Sequence, residues 1–330
     1  MSILVCGAGG FIGGHVVKRL IEQGKKVRAV DIKNVHHWFQ LHEEAENISL
    51  DLKDNNNCFK VLKDCESVIN LACNMGGMGF IQSYKAECMI SVLINTNLLI
   101  NCKKLGITNY YFSSSACVYN QEKQSNAFIT GLKETDAYPA YPEDGYGWEK
   151  LFSERMCNHF NEDYNFNCKI ARYHNIYGPE GTFDGGREKA PAALCRKIAM
   201  AKINNSKDIE IWGDGEQTRS FLYIEDCVDA TLQLVSSDYK YPINIGSEEQ
   251  VSINQMVDII EEIADYKVNR KYIEGPLGVR GRNSNNELIE KVLGWKPKNN
   301  LKMGLEHTYR WIFKTLKENR NSEISKYSYF

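Results

Sequence analysis

Tyr146 and Lys150 stand four positions apart in the stretch Tyr146-Gly147-Trp148-Glu149-Lys150. On a helix they share one face, a turn apart. A hydride leaves an alcohol carbon only as the hydroxyl proton is removed. A tyrosine can take that proton if its pKa, about 10 unperturbed, is lowered, and a lysine ammonium beside it favours the phenolate. Ser115 ends a preceding apolar run and is placed to hydrogen-bond the reacting hydroxyl. Two more stretches, Ser115-Ala116-Cys117 and Arg187-Glu188-Lys189, bring a thiol and an amine that a simple alcohol dehydrogenase does not need. That surplus of proton-transfer groups favours an epimerase over an ordinary oxidoreductase.

Groups so distant in the chain meet only if a sheet gathers them. Short apolar runs at 3–6, 26–31, 65–72, 109–114 and 167–173 alternate with helical patterns such as 12–23, which stops at Gly24. Strands separated by helices predict β-α-β units and a parallel, doubly wound α/β sheet of the Rossmann type. Directly after the first strand comes Gly7-Ala8-Gly9-Gly10-Phe11-Ile12-Gly13, opening a helix. Glycines there permit a tight turn and close approach to a pyrophosphate, which the helix N-terminus attracts. Asp31 ends the second strand, where a carboxylate accepts from a ribose diol and repels a 2′-phosphate, so NAD is the expected cofactor. Asp51 is placed to reach the adenine.

From about residue 173 the pattern changes to glycine- and proline-containing loops between helical segments. This predicts a smaller substrate domain interwoven with the first: 1–172 with about 220–247 for NAD, and 173–219 with 248–330 for the substrate. The residues from about 317 are polar and read as a frayed helix or tail. Arg280 and Arg282 lie in a loop carrying Gly275, Gly278 and Gly281, which suits a phosphate.

The 330 residues suffice for about two domains. The formal net charge of −2 supplies no field to recruit nucleic acid or an anionic membrane. Eleven cysteines, with no C-x-x-C pair, argue against a disulfide framework and a zinc ribbon, and no metal is expected. No signal-peptide pattern opens the chain and no apolar run nears the ~18 residues of a membrane span, so a reducing cytoplasm is the expected compartment.

The stretches GAGGFIG, NMGGMGFIQS, SSSACVY, YGWEK, ARYHNIYGPEGTFDGGREKAPAALCRK, WGDGEQTRSF and GPLGVRGRNSNN together resemble the extended short-chain dehydrogenase/reductases, the NAD-dependent nucleotide-sugar epimerases and dehydratases. NMGGMGF and GGREKAP are similar to the branch that inverts C3 and C5 of GDP-mannose. The resemblance implies oxidation at C4 by bound NAD, which acidifies the neighbouring C–H bonds. Cys117 and Lys189 would then flank the ring as an acid–base pair, in either direction. It further implies a GDP-sugar substrate, a homodimer, and substrate contacts at Gly76, Gly77, Ser115, Ala116, Asn175, Glu188, Lys197, Gln217 and Arg282. Cys73 and Asn74 depart from the wider family's usual residues. The nearest competitor is a nucleotide-sugar 4-epimerase or 4,6-dehydratase. A catalytically dead NAD sensor would be expected to lack Tyr146 or Lys150.

Overall fold

The computed structural model describes residues 1–320; the last part of the expected tail, 321–330, lies outside the described residues. At its centre is a seven-stranded, all-parallel sheet of β1 (Ser2–Cys6), β2 (Val27–Asp31), β3 (Glu46–Ser49), β4 (Cys65–Asn70), β5 (Asn109–Ser115), β6 (Asn167–Tyr173) and β7 (Pro242–Ile245). The spatial order is β7-β6-β5-β4-β1-β2-β3. The order reverses between β1 and β4, so the loops after these strands splay apart and open a crevice at their C-terminal ends.

The helices of the described residues are α1 (Phe11–Glu22), α2 (Asn55–Leu62), α3 (Met78–Ser83), α4 (Lys85–Ile90), α5 (Val92–Leu105), α6 (Asp144–Tyr164), α7 (Ala190–Ile203), α8 (Ile224–Val235), α9 (Ile253–Ala264), α10 (Glu287–Leu293) and α11 (Leu301–Arg320). Strand side chains alternate between faces. Val5, Ile69, Tyr111, Ala171 and Ile243 pack with Val16, Leu20, Val228 and Leu234 of α1 and α8. Leu4, Cys6, Val68, Tyr110, Phe112 and Ile170 pack on the opposite face with Cys58, Leu62, Leu98, Cys102 and Cys157 of α2, α5 and α6. Burial on both faces is why these strands read as continuous apolar runs.

α6 is tied to β6 through the interior. Arg172 Nε and Nη2 donate to the Glu154 carboxylate at 2.9 and 2.7 Å, and Nη1 donates to the Glu134 carbonyl at 2.6 Å. Beyond β6, helices α7, α9 and α11 pack together, and Asp208–Trp212 pairs in parallel with Asn269–Ile273. A three-stranded sheet sets Thr218–Ser220 beside Gly281–Arg282, with Arg219 opposite Arg282.

Two edge strands escape the apolar pattern. β3 is half-exposed, and β7 starts on a proline that an edge position tolerates. The polar stretch from 317 continues α11 as regular helix to Arg320, because Leu305, Tyr309 and Ile312 dock the preceding turns into the core. Among the described residues no helix is long and apolar enough to cross a membrane.

Gly7 holds φ at +79°, and a Cβ on Gly13 would lie 2.1 Å from the Gly7 carbonyl oxygen. Backbone against backbone cannot yield, so Gly13→Ala is expected to cost about 2 kcal/mol or more and to weaken NAD binding. Urea unfolding and a cofactor titration check both.

Candidate active site

β5 ends at Ser115, and the chain turns at once through a single 3₁₀ turn, Ala116–Val118. The Cys117 N–H donates to Ser115 Oγ at 3.2 Å. The next contact fixes the site. The Glu143 N–H donates to the Cys117 carbonyl at 2.9 Å, and Glu143 begins α6. A Cβ on Gly147 would come within 2.4 Å of that same carbonyl, and one on Gly145 within 2.4 Å of the Lys85 carbonyl. The glycines flanking Tyr146 therefore let α6 slide in against the Cys117 turn and α4.

Tyr146 and Lys150 are both buried on one face of α6. Lys150 Nζ lies 4.8 Å from the Phe112 ring centroid and 5.6 Å from that of Tyr146. Burial pulls the Lys150 ammonium down, but Cys73 and Glu149 outweigh it and hold the group above its ordinary pKa. Glu149 Oε2 sits 3.4 Å from Lys150 Nζ, and Oε1 accepts from Ser153 Oγ at 3.0 Å. Burial pushes the Tyr146 phenol well up, with Cys73, Cys117 and Glu149 adding to it and Ser115 opposing through a hydrogen bond. Its surroundings thus favour the protonated phenol.

Cys117 is buried and its thiol is pushed up to about 12, first by burial and then by the Glu143 charge, against Arg282. Lys189 caps the N-terminus of α7, and burial lowers its ammonium while Cys117 and Cys73 oppose. Thiol and amine, 72 positions apart in sequence (189 − 117), thus bear on one another beside the Tyr146–Lys150 pair.

The two glycine-rich stretches meet. The Gly77 N–H donates to the Arg187 carbonyl at 2.9 Å, and a Cβ there would lie 2.3 Å from the Glu188 carbonyl oxygen. Gly76 packs against Phe80, over whose ring Arg187 stacks. Arg187 Nη1 donates to Asn74 Oδ1 at 2.9 Å, giving that unusual residue a structural partner. Glu188 pairs with Arg196 at 3.2 Å. Asn175, at φ +47°, donates to the Ser220 carbonyl, and Gln217 keeps a buried Oε1 without a partner.

Other expected contacts are already engaged. Lys197 donates to the Glu210 carbonyl at 2.6 Å and lines a surface cleft with Arg196 and Lys271. Arg280 grips Asp214 at the surface through two bonds of 2.8 and 2.9 Å. Arg282 is buried, with Nε donating to Gln124 at 2.7 Å, Nη1 directed at Cys117 Sγ at 3.6 Å, and Nη2 3.1 Å from Glu143. Arg219 and Glu143 were not singled out in the sequence. Arg219 donates only to carbonyls and faces Glu143 and Cys117 without a close carboxylate, and burial lowers it to about 10. Its place in QTRSF, two residues past Gln217, was the available signal.

At the crevice, Gly10 caps α1 without a side-chain hydrogen bond, and no acidic residue occupies the first turn. The N–H groups there remain open to a phosphate, the cradle that Gly7 and Gly13 clear. Asp31 is buried at the end of β2 and accepts from the Lys33 N–H at 3.0 Å. Trp38 covers Gly9, and its indole donates to the Lys33 carbonyl. Asp51 stands outside, paired with Lys53 at 3.6 Å. These residues fit a dinucleotide.

A Rossmann sheet, an open helix N-terminus and a buried Tyr-x-x-x-Lys pair define an NAD-dependent enzyme, and the chain belongs to the NAD dependent epimerase/dehydratase family, whose model matches residues 3–246. It is 44% identical over 330 residues to the GDP-mannose 3,5-epimerase of Arabidopsis thaliana, covering 99% of this chain and 86% of the relative. It is also 44% identical over 325 residues to GDP-mannose 3,5-epimerase 1 of Oryza sativa subsp. indica, covering 98% and 85%. The UDP-glucose 4-epimerase of Thermotoga maritima, solved with UDP-glucose, superposes with a TM-score of 0.86 at 27% identity, over 96% of this chain and all of that one. MoeE5, solved with UDP-glucose and NAD, gives 0.82 at 26%, over 96% of this chain and 100% of its own.

Replacing Asp31 with alanine removes the carboxylate that a 2′-phosphate would meet. The preference for NAD over NADP, taken from the two dissociation constants by fluorescence titration, is expected to fall at least about tenfold.

Proposed function

We propose that this protein is a GDP-mannose 3,5-epimerase, acting on a GDP-linked hexose and yielding GDP-L-galactose and GDP-L-gulose. Kinship supports a nucleotide-sugar epimerase in general. The observation that carries the finer reading is the Cys117 turn held against the start of the helix that bears Tyr146 and Lys150, with Lys189 within electrostatic reach of its thiol. The residues from Gly7 to Gly13 with Asp31 hold the cofactor, which supplies a hydride acceptor and a positive charge when bound. The Lys150 ammonium favours the Tyr146 phenolate, which would accept the C4 hydroxyl proton with Ser115 as second hydrogen-bond partner.

Loss of hydride from C4 to the bound cofactor would leave a ketone that acidifies the C–H bonds at C3 and C5, and return of that hydride and of the Tyr146 proton after inversion would restore the C4 alcohol. Inversion at either carbon needs a base on one face and an acid on the other. Cys117 and Lys189 supply them, burial having raised the thiol and lowered the ammonium from their ordinary values. Residues 1–172 with about 220–247 carry the cofactor in this reading, and 173–219 with 248 onward carry the sugar nucleotide.

The active species is a homodimer in the same reading. Leu93 and Ile100 of α5 and Trp148 and Phe152 of α6, two helices packed side by side, are exposed and apolar. A second copy of the face buries them in a four-helix contact. Phe152→Arg places a charge there and is expected to yield monomer by sedimentation velocity, with a dimeric variant counting against the face.

Incubation of GDP-mannose with the NAD-loaded protein in deuterated water is expected to place deuterium at C5 or C3. Inversion at C4 alone, with no deuterium incorporated, would indicate a 4-epimerase instead. Tyr146→Phe is expected to abolish incorporation, whereas Cys117→Ala and Lys189→Ala should each reduce it at least about a hundredfold while NAD still binds.

A further inference from the structure

Glu143 takes part in the same site, yet the chemistry above gives it no task. Its main-chain N–H holds the Cys117 carbonyl, and its side chain turns back toward the same residue. The carboxylate is buried, and its charge raises the Cys117 thiol while the thiol in turn lowers the carboxyl. Its Oε2 is 3.1 Å from Arg282 Nη2, an ion pair in which neither atom finds an aligned hydrogen bond. Arg282 in turn directs Nη1 at Cys117 Sγ, 3.6 Å away, and is braced by Gln124. One guanidinium thus spans sulfur and carboxylate, with Arg282 and Glu143 both buried.

Three neighbours of the thiol are cationic, Arg282, Arg219 and Lys189, and two are hydroxyls, Ser115 and Tyr146. Cations alone would drain the proton from the sulfur and leave a permanent thiolate. A carboxylate in contact does the reverse: it accepts from S–H and opposes a second negative charge beside it. It also balances Arg282, whose charge would otherwise be buried unpaired.

Resting on the epimerase reading, we propose that Glu143 is a positioning residue that holds the proton on Cys117, by accepting from its thiol and by offsetting the Arg282 charge that would otherwise draw that proton off. Cys117 then waits in the site as a thiol, able to give a proton to the sugar, and becomes a thiolate only in exchange with substrate or with Lys189. The sign follows: removing the carboxylate's charge stabilises the thiolate, so the Cys117 pKa falls.

The test is the pH dependence of iodoacetamide alkylation at Cys117 in the full-length, NAD-loaded protein, followed on the Cys117 peptide by mass spectrometry. Glu143→Gln is expected to lower the midpoint by about one pH unit, so that alkylation at pH 8 is about tenfold faster. Glu143→Asp keeps the charge but draws it back, and is expected to shift the midpoint less in the same direction. It serves alone if the glutamine variant does not fold. An unchanged or raised midpoint in the folded variants would overturn the proposal. No sugar enters this measurement, so its failure leaves the epimerase reading standing. A sugar that gains no deuterium would leave the thiol titration intact.

Discussion

The hydrogen bond between the Glu143 N–H and the Cys117 carbonyl, with Gly147 clearing space beside it, is the contact on which the rest of the site depends. It joins the end of a central strand to the start of α6. Once it is made, Tyr146 must face the turn and Lys150 must lie one turn deeper against Phe112. The strand end itself is held by β4 and β6 on either side, and α6 is locked from behind by the Glu154–Arg172 pair. A shift of either element would move proton acceptor and thiol apart together.

The second constraint is charge without water. Lys150, Lys189, Arg219 and Arg282 converge on one pocket, and Glu149 and Glu143 are the carboxylates placed against Lys150 and Arg282. Desolvation makes each charge costly, so every group's protonation is set by its neighbours and not by bulk solvent. A surplus of cations remains, with Arg219 bonded only to carbonyls. An anionic substrate is the complement that such a pocket lacks, which agrees with a sugar diphosphate.

The sheet and its cofactor turn were legible in the sequence because their signals are local. Apolar runs bounded by glycine mark buried parallel strands, and Gly7 and Gly13 sit where only a missing Cβ avoids the backbone. β3 and β7 were not legible, since edge strands four residues long carry little periodicity. Arg282 read from its glycine-rich loop as suited to a phosphate, and its burial against Cys117 and Glu143 was not legible, because it comes from the pairing of its strand with Thr218–Ser220. Glu143 gave no signal, being a glutamate before a helix like many others.

By itself, then, the sequence determined the fold class, the NAD signature and the residue types for hydride and proton transfer. Each follows from spacing within a turn or a strand, over which the geometry of the chain is fixed. Tertiary structure alone decided which groups meet: Cys117 with Glu143 and Arg282, Lys150 with Cys73, Lys189 toward Cys117. Those contacts join residues tens to more than a hundred positions apart, and the low dielectric between them exists only once the core has closed. Acidity in this pocket is therefore a property of the folded chain and not of its residues taken singly.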